Sequence, residues 1–381
     1  MSKPIQTCIL GVGLSGLTFH APFILALPEI FTLHSVLERK PVSPGGKLQE
    51  RFGVSTKIHN SLEAVLADPE IELIIIGTPS ETHYSFVKLA LQAGKHVLVD
   101  KPVTATSQEA LELGELARSK NLVLYGFQNR RWDSDFLALR SILALPKDSE
   151  HSLGEIYEFE SQCWLSFDRF RRDLKGTWKD LNRPASGQTY DLGTHLIDQA
   201  LVLFGRPQKL TAFIQNTRGI GDPDLDDTFT IHLHYPAGTV SLHPVTVILR
   251  AHILSVKATQ LRYIVRGTQG TFTKYGLDVQ EDQLKVLSTP AGIYESGFGK
   301  EPENLWAELE LFKADGATIW KTIWPSTQAG AYIELFKNLG AAIRDGAELA
   351  VKWKEATAVI ELVELAKESS KTGRTVEVPA L

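Results

Sequence analysis

Cysteine is almost missing from this chain: two residues in 381, Cys8 within "TCILGVG" and Cys163 within "SQCWLSF". Neither has a CxxC partner, which argues against a disulfide framework or a cysteine-based zinc site. Each reads instead as a small hydrophobe in a strand. No run of 18 apolar residues occurs, so no membrane-spanning helix is expected. "MSKPIQTCIL" passes straight into a strand and lacks the pattern of a signal peptide. The expectation is a soluble, cytoplasmic protein. Long runs of one charge are missing too. Forty Lys plus Arg stand against 45 Asp plus Glu, a net charge of −5. That balance disfavours nucleic acid or an anionic membrane as a partner. Internal repeats and low-complexity tracts are also absent.

What is present is the composition of a globular protein, 43% hydrophobic and 22% charged, in a length that predicts two domains. The first third alternates strand and helix. "IQTCILGVG", "FTLHSVLERK", "IELIIIGTP", "KHVLVDKP" and "NLVLYGFQ" read as strands, nearly unbroken in apolar character where both faces are covered. Helical patterns lie between them: "SLEAVLADP", "THYSFVKLALQAG" closing on Gly94, and "SQEALELGELARSK" behind a Ser or Thr N-cap. Such alternation predicts a doubly wound parallel sheet of the Rossmann type, an α/β domain over residues 1–127. Ligands in such sheets sit beyond the carboxyl ends of the strands, so the glycine-rich turn, "ERK", "GTPSETH", "DKP" and "GFQNRRW" should share one crevice.

"GVGLSG" sets Gly11, Gly13 and Gly16 as G-x-G-x-x-G, with Leu14 and Ser15 between them, after a strand and before a helix. In that context the glycines let backbone approach a pyrophosphate at a helix N-terminus; a merely structural turn is the other reading. About twenty residues on, Glu38 stands where a carboxylate would bond the adenosine ribose and favour NAD. Arg39 and Lys40 follow at once and suit a 2′-phosphate. The expectation is NADP, held by Arg39 with Glu38 turned aside. NAD remains the alternative cofactor, and a ligand-free surface turn the third reading. Thr78 and Pro79 are expected to line the cofactor crevice.

"HVLVDKPVTAT" ends a buried strand on Asp100-Lys101-Pro102. A lysine there is costly unless its charge is used or paired, and Pro102 biases it away from helical geometry. A second constellation is "SGQTYDLGTHLIDQALVLFG", read as a helix from Tyr190 onward. Asp191, His195 and Asp198 stand at i, i+4 and i+7 on one face of it. A structural Asp–His hydrogen bond on a covered helix is the competing reading.

"GVGLSG", "TPSETHYSFVKLALQAGKHVLVDKP" and "YDLGTHLID" together resemble the Gfo/Idh/MocA oxidoreductases. "DKP" departs conservatively from that family's usual Glu-Lys-Pro. "GLSGLTFHAPF", "NRRWDSDF", "YDLGTHLIDQAL" and "KYGLDVQED" resemble a narrower group, the NADP-dependent scyllo-inositol dehydrogenases. The resemblance implies a catalytic set of Lys101, Asp191 and His195, acting on a cyclic polyol or a sugar. In it His195 takes the hydroxyl proton, Lys101 stabilises the developing alkoxide, and Asp191 orients His195 or an adjacent hydroxyl. Oxidation then rises through a pKa of about 6 to 8, the imidazole range. The resemblance also puts His83 on the nicotinamide side, where a helix-terminal His packed on its neighbours is equally expected. Asp100 and Gln128 join the cofactor set. Arg131 and Trp132 resemble a substrate-side element, with Arg131 alternatively paired to Asp133 or Asp135. Two other functions share these motifs: glycoside cleavage through transient oxidation, and a catalytically silent NADP-binding regulator.

Residues 128–381 change texture. "GEIYEFESQCWLSF", "QKLTAFIQNTRG", "DTFTIHLHYPAGTVSLHPVTVIL", "LRYIVRGTQGTFTKYG" and "DQLKVLS" read as strands of a large, mostly antiparallel sheet. The helix after Tyr190 should cover one side. The other face should be partly apolar, and by resemblance pairs with another subunit, making a homo-oligomer (dimer or tetramer). A last helix, about 353–373, is expected to return towards the nucleotide domain. No metal is expected: His232 and His234 alternate on one strand face without a third ligand.

Overall fold

The computed structural model describes residues 3–162, 172–313 and 315–380; Cys163 lies outside them. The chain forms two compact units. The first comprises Met1–Asn129, Val279–Gly299 and Ala331–Ala358, the second Arg130–Asp278, Lys300–Gly330 and Val359–Leu381.

An apolar run with no alternation has no face to give to water, and Leu73–Ile76 is buried at every position. It becomes an interior strand of the first unit. That unit's sheet contains β1 (Ile5–Leu10), β2 (Phe31–Leu37), β3 (Lys57–His59), β4 (Leu73–Ile76), β5 (His96–Val99) and β6 (Leu124–Gly126). All pairings are parallel, in the order β3-β2-β1-β4-β5-β6. The chain direction across the sheet reverses between β1 and β4, so a crevice opens beyond their carboxyl ends. β3 has no counterpart among the strands read from sequence. "KIH" is too short for periodicity, and Lys57 at this sheet edge is exposed.

Helices α1 (Ala21–Ala26), α2 (Gly46–Phe52), α3 (Leu62–Leu66), α4 (His83–Gln92) and α5 (Ser107–Ser119) connect these strands. Thr106 caps α5 through a reciprocal box with Glu109, satisfying two otherwise orphaned N–H groups for about 1 kcal/mol. Gly94 follows α4 with φ +76°, where its N–H reaches the Leu91 carbonyl.

The second unit holds α6 (Ser134–Leu143) and a nine-stranded sheet: β7 (Ile156–Gln162), β8 (Lys209–Gln215), β9 (Thr228–Tyr235), β10 (Val245–His252), β11 (Leu261–Gly267), β12 (Gly270–Tyr275), β13 (Ala307–Phe312), β14 (Ile319–Trp324) and β15 (Val376–Glu377). Its order is β14-β13-β12-β11-β7-β10-β9-β8-β15, with one parallel pair, β7 and β10. Helix α7 (Thr194–Phe204) covers the inner face. Leu196, Ile197 and Ala200 are wholly buried, and Phe204 packs on Phe159 and Tyr235 at centroid distances of 5.1 and 6.0 Å. Full burial of such side chains contributes about 1.5–3 kcal/mol each. The outer face mixes Ile248, Ile264 and Phe213 with the pairs Arg250–Glu160 and Arg266–Glu158.

"DQLKVLS", expected as a strand, is instead α8 (Gln280–Val286), part of the first unit. Glu281 and Asp282 sit in its first turn, and Lys285 pairs with both, at 3.1 and 3.0 Å. Those local pairs and the helix dipole favour a helix over an apolar alternation of only two residues. α9 (Ile333–Asp345) completes this unit. The last helix, α10 (Trp353–Thr372), begins in the first unit, where the Trp353 indole donates to the Ala110 carbonyl at 2.7 Å. From residue 359 it belongs to the second.

Candidate active site and cofactor cradle

The three glycines after β1 have different reasons to be glycine. Gly11 has φ +93°, and a Cβ there would lie 2.9 Å from the Gly77 carbonyl oxygen beyond β4. At Gly16 a Cβ would fall 2.0 Å from the Gly11 oxygen, so the turn closes on itself. Gly13 has no positive φ, and a Cβ would meet nothing within 4 Å. The fold itself does not require glycine at Gly13, so the turn keeps an open backbone face there. The helix that follows opens as a π turn, Gly16–His20, in which the Ala21 N–H reaches back to Gly16. Leu14 is largely exposed at its start, 62%.

Glu38 at the end of β2 is buried. One carboxylate oxygen accepts the Lys47 N–H at the start of α2, 3.1 Å, and a Cβ at Gly46 would lie 2.3 Å from it. Its other oxygen has no protein donor. Arg39 and Lys40 are exposed beside it. Gln128, past β6, is likewise buried with its side-chain oxygen unsatisfied by protein. Thr78 and Pro79 are half-buried beyond β4, the Thr78 hydroxyl 2.6 Å from that of Thr82. An open glycine face and two orphaned acceptors fit a ligand rich in phosphate, hydroxyl and amide groups, as a dinucleotide is.

At the end of β5, Asp100 does its work within the protein. It accepts from the His20 ring at 2.8 Å and from the Ser15 hydroxyl. Burial alone would raise this carboxyl. The His20 charge and the bonds from His20 and Ser15 override that and hold it below the ordinary range. Asp100 and Ser15, both expected on the cofactor, thus tie the glycine turn to the end of β5. His20, a lone histidine in "GLTFHAPF" with no motif to mark it, is fully buried against Phe127, 4.6 Å between centroids. Lys101 is half-buried and joined to Pro102 by a cis peptide. His83 is buried, its ring nitrogens 2.7 Å from the Pro102 carbonyl and 2.9 Å from the Thr78 carbonyl. It bridges the ends of β4 and β5.

In the second unit the helix read from Tyr190 starts as another π turn, Thr189–Gly193, before α7. These are the two π turns among the described residues, and such turns recur at functional sites. Asp226, unnoticed in the sequence, seats this one: it accepts from the Thr189 N–H and hydroxyl at 2.7 and 2.8 Å. His195 is buried on the first turn of α7. Arg131 closes on Asp198 with Nε and Nη2 at 2.9 and 2.6 Å. Asp133 pairs with Arg130, and Asp135 with Arg262. Arg131, expected on substrate, is nine-tenths buried in this bidentate pair, because a guanidinium out of water needs a carboxylate. Trp132 is half-buried beside it. Asp191 accepts from Lys179 at 2.9 Å. "TWKD" carried no signal for that lysine.

Residues 5–127 match the NAD-binding Rossmann-fold domain of the Gfo/Idh/MocA oxidoreductases, and residues 149–378 match that family's C-terminal alpha/beta domain. The chain belongs to this family, and its first unit is a nicotinamide-dinucleotide domain. A Schizosaccharomyces pombe protein described only as an oxidoreductase is 38% identical over 379 residues, 98% of each chain. The scyllo-inositol 2-dehydrogenase (NADP(+)) IolW of Bacillus subtilis is 33% identical over 98% of this chain and 95% of its own. Among solved structures, an oxidoreductase of Bacillus subtilis superposes with a TM-score of 0.85 at 32% identity, over 99% of both chains.

Proposed function

We propose that the chain transfers a hydride between a secondary alcohol of a cyclic polyol or sugar and a bound nicotinamide, with NADP preferred over NAD. The reading rests above all on Lys101, a half-buried residue just past β5, at the same carboxyl edge of the parallel sheet as the glycine turn after β1. Bound nicotinamide supplies the hydride acceptor or donor at its C4 carbon. Lys101 donates to the reacting hydroxyl oxygen and stabilises charge developing there. His195 removes the hydroxyl proton during oxidation and returns it during reduction. Asp191 orients His195 or an adjacent hydroxyl.

The cofactor preference draws on Glu38, whose carboxylate caps α2 while Arg39 and Lys40 remain exposed for a 2′-phosphate. The cofactor and substrate in the name of the Bacillus subtilis relative point the same way. The working form is a cytoplasmic homo-oligomer joined through the outer face of the second sheet.

The test is an absorbance assay at the reduced-nicotinamide band, using inositols, aldoses and glucosides with NAD and NADP in parallel. Turnover of a polyol or sugar, faster with NADP, is expected. Lys101→Ala and His195→Ala should each lower kcat by about a hundredfold or more while dinucleotide binding persists. Near-normal turnover by both variants refutes the assigned roles.

A further inference from the structure

Lys179 and Asp191 form a pair that the assigned roles leave half explained. Lys179 sits on a short 3₁₀ turn, Trp178–Asp180, fixed by its own capping box. The Asp180 carboxylate accepts from the N–H groups of Lys175 and Thr177, at 2.8 and 3.1 Å. The Lys179 ammonium lies 5.6 Å from the centroid of the Trp178 ring and donates to Asp191 at 2.9 Å. Neither side chain is sealed away: they are 32% and 21% exposed. A half-exposed ion pair contributes little to stability, so stability does not account for a lysine held this firmly.

Its chemistry does. An ammonium carries three donors, and a carboxylate two accepting oxygens with lone pairs beyond one hydrogen bond. Held side by side and wet, the pair presents one donor and one acceptor to the same ligand. Two hydroxyls on adjacent ring carbons match that presentation, one oxygen accepting and its neighbour's O–H donating. A lone secondary alcohol uses half of it. An anionic sugar gains little, because Asp191 cancels the charge of Lys179.

We propose that Lys179 is a specificity-determining residue that grips a vicinal diol together with Asp191, and so selects substrates with a free hydroxyl next to the one oxidised. The proposal rests on the polyol dehydrogenase reading for its substrate class, but the grip is separable from turnover.

The experiment uses the full chain loaded with NADP. myo-Inositol, trans-cyclohexane-1,2-diol and cyclohexane-1,3-diol are titrated calorimetrically and assayed for turnover, in wild type, Lys179→Met and Lys179→Arg. The expected result is a rise of about tenfold or more in Kd and KM for myo-inositol and the 1,2-diol in Lys179→Met, the scale of a charge-assisted hydrogen bond. The 1,3-diol should be unaffected, kcat at saturation should change less than KM, and Lys179→Arg should restore most of the loss. An unchanged melting temperature and NADP affinity separate this from misfolding. Turnover with no Lys179 dependence, or equal losses on 1,2- and 1,3-diols, overturns the grip and leaves the dehydrogenase reading standing. Binding that depends on Lys179 without turnover does the reverse. Absence of both binding and turnover overturns both.

Discussion

Gly13 and Gly16 lie three residues apart in one motif, yet substitution should separate them. Alanine at Gly16 drives a methyl into the Gly11 carbonyl and should destabilise the chain by about 1–3 kcal/mol as backbone shifts to admit it. Alanine at Gly13 meets only open space. Gly13→Ala should leave the melting temperature unchanged or slightly raised, by up to about 1 kcal/mol in stability, while weakening dinucleotide affinity. Fluorescence titration with the reduced cofactor, beside thermal unfolding, measures both. A Gly13→Ala protein with full affinity would show that no ligand backbone passes there. Single side chains elsewhere have tasks that their letters do not announce. Asp100, expected on the cofactor, also anchors Ser15 and His20. His83 bridges two strand ends through backbone carbonyls.

Helices and strands were legible in proportion to their length and regularity. Each of the five strands read in the first third is present, because a buried parallel strand leaves a continuous apolar run. β3, at three residues, is too short to show a period, and α8 reads as a strand because its stabilising charges lie on the polar face that strand patterning ignores. The π turn before α7 was invisible: an extra residue in a turn has no side-chain signature. α7 itself is pinned by the buried Arg131–Asp198 pair. Removing one member of such a pair strands the other charge in a medium of low dielectric. Asp198→Ala should therefore cost about 3–5 kcal/mol, seen as a lowered denaturant midpoint. It should also depress kcat, since His195 rides on the same helix three residues earlier. A neutral effect on stability would mean that Arg131 finds another partner.

Across the whole chain, the response to acid should be set by carboxylates held below their ordinary range. Asp68 accepts from Lys57 at 2.7 Å, from His34 at 3.2 Å and from the Glu70 N–H at 3.1 Å. The Lys57 bond is the largest influence and outweighs burial, so this carboxyl stays ionised well below the usual pH. In the second unit, the bonds from Lys147, the Leu242 N–H and Ser241 hold Glu155 down to about 2. A group with a depressed folded value binds fewer protons folded than unfolded, so its contribution is present above the unfolded value and lost as pH falls. For Glu155 that window runs from its ordinary value of 4.5 down to about 2. Thermal midpoints should fall on acidification through this range. Asp68→Asn should lower the midpoint at neutral pH and flatten the fall; parallel curves for variant and wild type would remove Asp68 from the account.

Composition and periodicity alone determined the parallel sheet, the glycine turn and the lysine just past β5. These are local properties, written in spacings of two to four residues. The partners of the charges came only with the tertiary structure: Asp198 for Arg131, 67 positions away; His20 for Asp100, 80 positions away; Lys179 for Asp191, 12 positions away. A buried charge must be paired, and sequence spacing states that need. Which opposite charge meets it depends on how strands and helices from distant segments come to lie side by side, and no local pattern records that.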